Sequence, residues 1–561
     1  MTAIRTGFFV LLVVWIGGCA TSPGEDAVKT ITVVGINDIH GQFSAGESTG
    51  GLVDISAYVN ALRKARAADG GAVLVVDAGD MWQGTLESNI VEGASMVEAY
   101  NALGVVAAAI GNHEFDFGPA GPDAVPTKTG DDPRGALKAR AREAAFPLLA
   151  ANLADSATGR LVAWDNVQPS VLVDAAGVRV GIIGVLTRSG LRTTIAPNTA
   201  GLELTPLLDA VRREAAALRE AGAALVVVVA HAGGRCRDVS DPKDTSSCDP
   251  SSELVRLALD LEPGEVDHIF GGHLDSLIAH EFDGVTVSVN LSKARHFGRI
   301  DFRVDTRGGD VVGHRLFPPQ SNVTPRPAMY EGQALEPDPV VARIADAAQQ
   351  FAADHKTYQL GVVVDAPFIR GGVESPVGNL VARALYDSYD VDVALINVRG
   401  GLRADLPAGE LTFGHVYEMF PFDNVVTVHD LSGQALRAIF AAQARPSRRL
   451  GFAGLRVYAE CRDGRPYARM VRDDGTEVGD DDRVTVLAND YLAYGGDRIM
   501  TPGIPAGGLE VRYDLPLTRD VIVDWLEEHG GHLHPDNWRS DDKPRWNLPD
   551  GFPQTCRPSL Q

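Results

Sequence analysis

ITVVGINDIHG, residues 31–41, decides how the rest of the chain is read. The short apolar run Ile31 to Ile36 has the length and residue types of a buried strand, and Asn37, Asp38 and His40 follow it at once. Asp38 and His40 are two apart on an extended segment, so both side chains point to one face and can grip one cation. The same arrangement recurs down the chain. AVLVVDAGD (72–80) ends on Asp77 and Asp80, and VVAAAIGNHEFD (105–116) on Asn112, His113, Glu114 and Asp116. ALVVVVAH (224–231) ends on His231, and VDHIFGGHLD (266–275) on His273 and Asp275. A sixth run, Val178 to Val185, lacks such an ending. Ligands of α/β proteins collect at the carboxyl ends of strands, where loops aim side chains into one crevice. Five such endings predict a layered α/β domain with a metal centre along one edge. Singly, Asp-x-His reads as a turn, Gly-Asn-His-Glu as an Asx turn and His231 as a core histidine. The ordered set has no such bland explanation.

The donors are carboxylate, amide oxygen and imidazole, without thiolate. That set suits two divalent ions of Mn, Zn, Co or Fe and does not choose among them. Asp80 can bridge both ions with its two oxygens, and Asn112, His231 and His273 complete the second position. The net charge of -23 argues against a nucleic-acid polymer as partner, because gripping a phosphate backbone takes a basic stripe and none is visible. A small anionic substrate then needs local positive charge, which bound cations supply. At 45% hydrophobic and 22% charged, the composition is that of a globular protein. The 561 residues exceed one core, and at about 150 residues per domain they allow two large domains or more.

Arg5 precedes the apolar run Phe8 to Ile16, which leads into Gly17, Gly18 and Cys19. The run is too short to cross a bilayer and reads as the core of an export signal. Small residues before a cysteine resemble a bacterial lipobox, so residues 1–19 are expected to be a lipoprotein signal peptide with Cys19 acylated. The protein is then exported and lipid-anchored, in the outer membrane facing the periplasm or at the cell surface. Cys236, Cys248, Cys461 and Cys556 remain, an even number for an oxidising compartment. Three pairings are possible. Cys236 with Cys248 and Cys461 with Cys556 is favoured, since each pair stays within one expected domain.

Residues 29–317 form the first expected domain. Pro318 to Pro339 reads as a boundary and Val340 to His355 as a helix, so 318–359 is expected to be a linker and bridging helix. A second α/β region spans 360–530, followed by a tail, 531–561, tied down by Cys556.

Taken together, NDIHG (37–41), DAGD (77–80), GNHEFD (111–116), HAGG (231–234) and GGH (271–273) resemble the signature blocks of calcineurin-like metallophosphoesterases of the 5'-nucleotidase branch. The resemblance covers about residues 29 to 530. It implies a four-layer α/β/β/α sandwich followed by a smaller α/β 5'-nucleotidase C-terminal domain. It places one metal on Asp38, His40 and Asp80, and the other on Asp80, Asn112, His231 and His273. The family often continues its last block with a neutral residue that reaches the first metal; Asp275 stands there in this chain. By the same resemblance His113 stabilises the transferring phosphoryl group and Asp116 orients its ring, whereas Asp77 and Glu114 are loop-stabilising acceptors.

PFDN (421–424) and NDYLAYGGD (489–497) resemble the family's base-clamp segments, in which two aromatics stack on the base and an aspartate contacts the ribose. This maps to Phe422, Tyr491 and Asp497, and stacking tolerates any base. NVRGGLR (397–403) resembles the Asn-x-Gly-Gly-x-Arg block with one extra residue, giving Asn397 and the anion contact Arg403. Arg370 is the nearest candidate for a second family arginine. The function implied is metal-dependent release of phosphate from nucleoside monophosphates. Cyclic-nucleotide phosphodiesterase and UDP-sugar hydrolase activities are variants, and a surface lipoprotein that binds nucleotides without cleaving them is the alternative of another class. A site divided between two domains implies interdomain closure, hinged near residues 335–360.

Overall fold

The computed structural model describes residues 28–46, 48–371, 374–444, 450–506, 508–513, 515–538 and 544–549, with Phe552 and Cys556. Cys19 and the expected signal segment lie outside the described residues. No helix among the described residues is long and apolar enough to cross a membrane.

All six apolar runs are strands: Val28–Ile36, Ala72–Asp77, Val105–Ala109, Val178–Leu186, Leu225–His231 and His268–Gly271. The first three lie side by side and parallel in a seven-stranded sheet, and the last three in a six-stranded sheet. The two sheets pack face to face through Ile31, Val33, Leu74 and Val76 on one side and Val180, Ile182, Val227 and Phe270 on the other. Contact is close enough that a Cβ at Gly35 would fall 2.0 Å from the Phe270 ring. Helices Leu52–Asp69 and Ala94–Leu103 cover the outer face of the first sheet. Leu207–Glu220 and Glu253–Asp260 cover that of the second. This is the expected α/β/β/α sandwich, and strands buried on both faces explain their uninterrupted apolar sequences.

The expected boundary at residue 317 falls inside a strand. Asp310–Ser321 pairs antiparallel with His296–Asp305, and the buried Asn322 side chain donates to the carbonyls of Gly51 and Ala294. The bridging helix is Pro339–Lys356, capped by Asp338, whose carboxylate accepts from the Val340 and Val341 amides. Its Val341, Ala345 and Ala348 pack into the core of the first domain, so it is an outer element of that domain as well as a connection.

The second domain centres on the sheet Val426–Ser432, Arg483–Asn489, Val393–Asn397, Leu450–Ala453. The expected end at residue 530 also shifts. Gly531–Leu533 pairs with Gln359–Val364, and Trp546–Asn547 pairs with Leu455–Arg462, because the tail has buried Leu533 and Trp546 to contribute. The disulfides are Cys236–Cys248 and Cys461–Cys556, as favoured. The second spans 95 residues, a loop whose closure restricts the unfolded chain by about 4–5 kcal/mol in the chain-entropy picture.

Candidate metal and substrate site

Asp38, His40 and Asp80 present ligand atoms within 4.8 Å of one another, as do Asp80, His231 and His273. Asp80 is common to both triads. Four of these residues sit in the left-handed backbone region: Asp38 at φ 48°, His40 at 53°, Asp80 at 59° and His273 at 67°. Each such residue costs on the order of 1–3 kcal/mol, and such outliers gather where a site dictates side-chain direction. Within DAGD, Gly79 has φ 94°, and a Cβ there would meet the Gly111 amide and the His231 ring at 2.8 Å. The loops of neighbouring strands could not close on each other with a larger residue.

Glu114 locks those loops. It is buried and accepts hydrogen bonds from the amides of Asp80, Met81 and Gly111. Asp77 accepts from the Gly79 amide and the Tyr100 hydroxyl. Both carboxylates serve as loop acceptors, in line with the sequence expectation.

The imidazole tautomers test whether cations fit. His40 Nδ1 lies 2.8 Å from the Gln83 carbonyl and His231 Nδ1 2.8 Å from that of Ala78, so both Nδ1 atoms carry the proton. Their Nε2 atoms are thereby turned inward, an orientation that metal-ligating histidines commonly receive from a backbone carbonyl. His231 Nε2 then faces two further acceptors, Asn112 Oδ1 at 3.0 Å and Asp80 Oδ2 at 3.2 Å. His273 Nδ1 is also 3.0 Å from Asn112 Oδ1. Without a cation a proton on His231 Nε2 can bridge to these oxygens, and a bound cation would take that proton's place among the same donors. Burial alone would push His231 down, but Asp80, Asp38 and Glu114 hold its proton up to about 10. Burial lowers His40 and His273 to about 3, leaving both rings as neutral donors. The residues fit divalent metal ions.

Asp275 is not brought to this cluster. Its carboxylate pairs with the Arg295 guanidinium and accepts from the Ser292 amide and hydroxyl. These partners draw Oδ1 away from the cluster, and Asp275 is not among the grouped donors.

His113 and Asp116 stand beside the cluster. His113 Nδ1 is 2.6 Å from Asp116 Oδ2, and Asp116 Oδ1 accepts from Thr194 Oγ1 at 2.6 Å. Burial works against a charged His113, but the Asp116 and Asp80 carboxylates raise its pKa overall. From the second domain Arg403 places Nη2 3.2 Å from His113 Nε2. Its guanidinium also lies 5.1 Å from the centre of the Phe422 ring, which stacks 5.9 Å from His113.

One cavity of about 460 Å³ joins these groups. Asp38, His40, Asp80, Asn112 and His273 line one end, and Asn397, Arg403, Phe422, Tyr491 and Asp497 the other. Asn397 Nδ2 donates to Asp497 Oδ2, and the Tyr491 hydroxyl to Asp497 Oδ1. The extra residue of NVRGGLR is taken up in a turn where Gly400 has φ 92° and Leu402 N bonds back to Val398 O, so Asn397 keeps its place in the wall. Arg370 does not line the cavity: its Nε is bonded to Asp405 and its Nη1 to the Leu402 carbonyl. Arg399 lines it instead.

Thr193, Thr194, Asn424, Gln443 and Asn489 also line the cavity and were missed by the sequence reading. The threonines lie beyond Val178–Leu186, the strand that lacked a metal-capable ending, and its carboxyl end was the available signal.

Residues 31–275 match the calcineurin-like phosphoesterase family, and residues 361–503 match the 5'-nucleotidase C-terminal domain. The endonuclease YhcR of Bacillus subtilis (strain 168) is 26% identical over 492 residues, which are 84% of this chain. The chain spans 38% of that relative's length. A 5'-nucleotidase of Vibrio cholerae is 24% identical over 459 residues, covering 75% of this chain and 77% of the relative. Among solved structures, the 5'-nucleotidase precursor of Thermus thermophilus superposes with a TM-score of 0.69 at 23% identity, over 92% of this chain and 99% of its own. That likeness establishes the two-domain fold.

Proposed function

This chain belongs to the family that joins a calcineurin-like phosphoesterase domain to a 5'-nucleotidase C-terminal domain, and from that premise we propose that it releases phosphate from nucleoside 5'-monophosphates with the help of two divalent cations. The observation that carries this reading is the single cavity with cation donors at one end and an aromatic clamp at the other.

Asp38, His40 and Asp80 would hold one cation, and Asp80, Asn112, His231 and His273 the second. Bound cations polarise phosphoryl oxygens and make hydroxide available near neutral pH. The chain supplies the remaining chemistry. Arg403 and His113 meet where the phosphoryl group would sit; Arg403 can donate to oxygens on which charge develops during displacement, and His113 can do so once its Nε2 is protonated. Asp116, itself fixed by Thr194, keeps the His113 proton on Nδ1 and its Nε2 turned toward the substrate. Phe422 and Tyr491 offer stacking surfaces for the base, and Asp497, held by Asn397, is placed for the ribose hydroxyls. Export and acylation of Cys19 belong to the same reading. Loss of fatty-acid labelling in Cys19→Ala would support the acylation, and undiminished labelling would refute it.

The deciding experiment is phosphate release by apo-enzyme recharged with Mn, Zn, Co or Mg. The substrates are AMP, UDP-glucose, 2',3'-cyclic AMP and bis(p-nitrophenyl) phosphate. Metal-dependent preference for AMP is expected. Preference for UDP-glucose or the cyclic nucleotide would move the reading to those variants. Activity confined to the generic diester would remove the clamp from it, and activity on none would favour a binding protein.

A further inference from the structure

A second set of donors lies away from the cavity. Cys236 and Cys248 close the loop that follows His231, and His280 lies in the adjoining edge strand Ile278–Phe282. The two sulfurs and a ring nitrogen of His280 lie within 4.8 Å of one another. His280 is fully buried. Its Nε2 is 2.9 Å from the Asp238 carbonyl, and only a protonated nitrogen can bond there. Nδ1 therefore carries a lone pair, and it is buried without a hydrogen-bond partner. An unsatisfied buried acceptor is costly, and such groups in folded proteins call for a redox role, a catalytic role or an ion.

The neighbouring disulfide offers no hydrogen to a ring nitrogen, because neither sulfur bears one. Two-electron reduction by a dithiol changes this: the S–S bond breaks, each sulfur gains a proton, and the reductant leaves as its own disulfide. A divalent cation can then displace both thiol protons and bind two thiolates and one neutral imidazole. Such a donor set matches zinc and cadmium, with a water filling the fourth position.

We propose that Cys236, Cys248 and His280 form a redox-gated metal site, closed as a disulfide and open to a soft divalent cation when reduced. The loop is tied to the candidate centre through Gly233, whose carbonyl accepts from Leu254 N two residues beyond His231. The site is independent of the nucleotidase reading, because the cavity donors include no sulfur.

Cadmium titration of the full chain, followed by the ultraviolet sulfur-to-cadmium charge-transfer band, tests it without reference to activity. The reduced protein is expected to show the band and the oxidised protein none. His280→Ala should bind cadmium at least about tenfold more weakly, and Cys236→Ser should lose the band. No band in the reduced protein, or equal affinity in His280→Ala, would overturn the proposal. So would a band that survives Cys236→Ser, since it would belong to Cys461 and Cys556. Reduced protein that loses its native circular dichroism before binding would overturn it too, because the site would not be built into the fold.

Discussion

Arg403 Nη2 and His113 Nε2 stand 3.2 Å apart across the junction of the two domains. His113 Nδ1 is committed to Asp116, so Nε2 is the acceptor and Arg403 the donor in this contact. A phosphoryl oxygen entering between them would accept the Arg403 hydrogen bond in place of Nε2, leaving Nε2 free to be protonated. Removing one donor to a developing charge typically lowers kcat by about 10²–10³. Arg403→Ala is expected to lose that much in kcat for AMP, and Arg403→Lys to recover only part, since ammonium lacks the planar fork. A change in KM alone, with kcat intact, would show that Arg403 only captures substrate.

The shared position of Asp80 gives a prediction on metal content. Asp80→Asn should release both ions, because each triad loses an anionic oxygen. Asp275→Asn should keep both, since that carboxylate is taken by Arg295 and Ser292. Elemental analysis after gel filtration reads the difference. Loss of one ion in Asp275→Asn would return this residue to the ligand set.

Much of this centre could be read in sequence because strand endings are local. Five apolar runs placed Asp38, His40, Asp80, Asn112, His231 and His273 without knowledge of the fold. What could not be read depends on contacts distant in the chain. Asp275 follows the right histidine, and only the fold brings Arg295 and Ser292 to it. Arg370 carries the right charge but is held by Asp405, whereas Arg399 lines the cavity because an inserted residue turns the 397–403 loop. Two of the expected edges, at residues 317 and 530, cut across strand pairings for a related reason. Strand pairing carries Asp310–Ser321 past the Pro-rich shift at residue 318 and recruits Gly531–Leu533 from the tail.

Asp490, behind the clamp, should make stability depend on pH. Burial raises its carboxyl to about 7, although Asn424 donates to it. In the unfolded chain the group has its ordinary value of 3.8, so between these limits the folded state holds a proton that the unfolded state has lost. Stability from this group is therefore lost as pH rises across that window, by at most about 1.4 kcal/mol per pH unit. Asp490→Asn mimics the protonated acid and can still accept from Asn424. Thermal unfolding from about pH 5 to about pH 8 should show the variant gaining on wild type as pH rises. Parallel curves would mean that Asp490 is ionised in the fold throughout.

Gln83 links the two halves of the site through separate atoms. Its carbonyl accepts from the candidate ligand His40, and its side-chain amide donates at 2.7 Å to the carbonyl of Pro421, next to the clamp residue Phe422. The side chain is buried, and Asn89 also reaches Pro421 O, but at 3.4 Å. Gln83→Ala leaves the backbone carbonyl in place, so metal content should not change. What goes is a short polar tie between the clamp segment and the loop that carries His40, worth about 1–2 kcal/mol, or roughly five- to thirtyfold. That loss should appear in KM for AMP, with kcat much less affected, because a clamp that is less often closed captures substrate less well. The same variant should hydrolyse bis(p-nitrophenyl) phosphate, which has no base to clamp, at the wild-type rate. Equal losses on both substrates would place the effect at the metal centre, and an unchanged KM would mean that the domains close without Gln83.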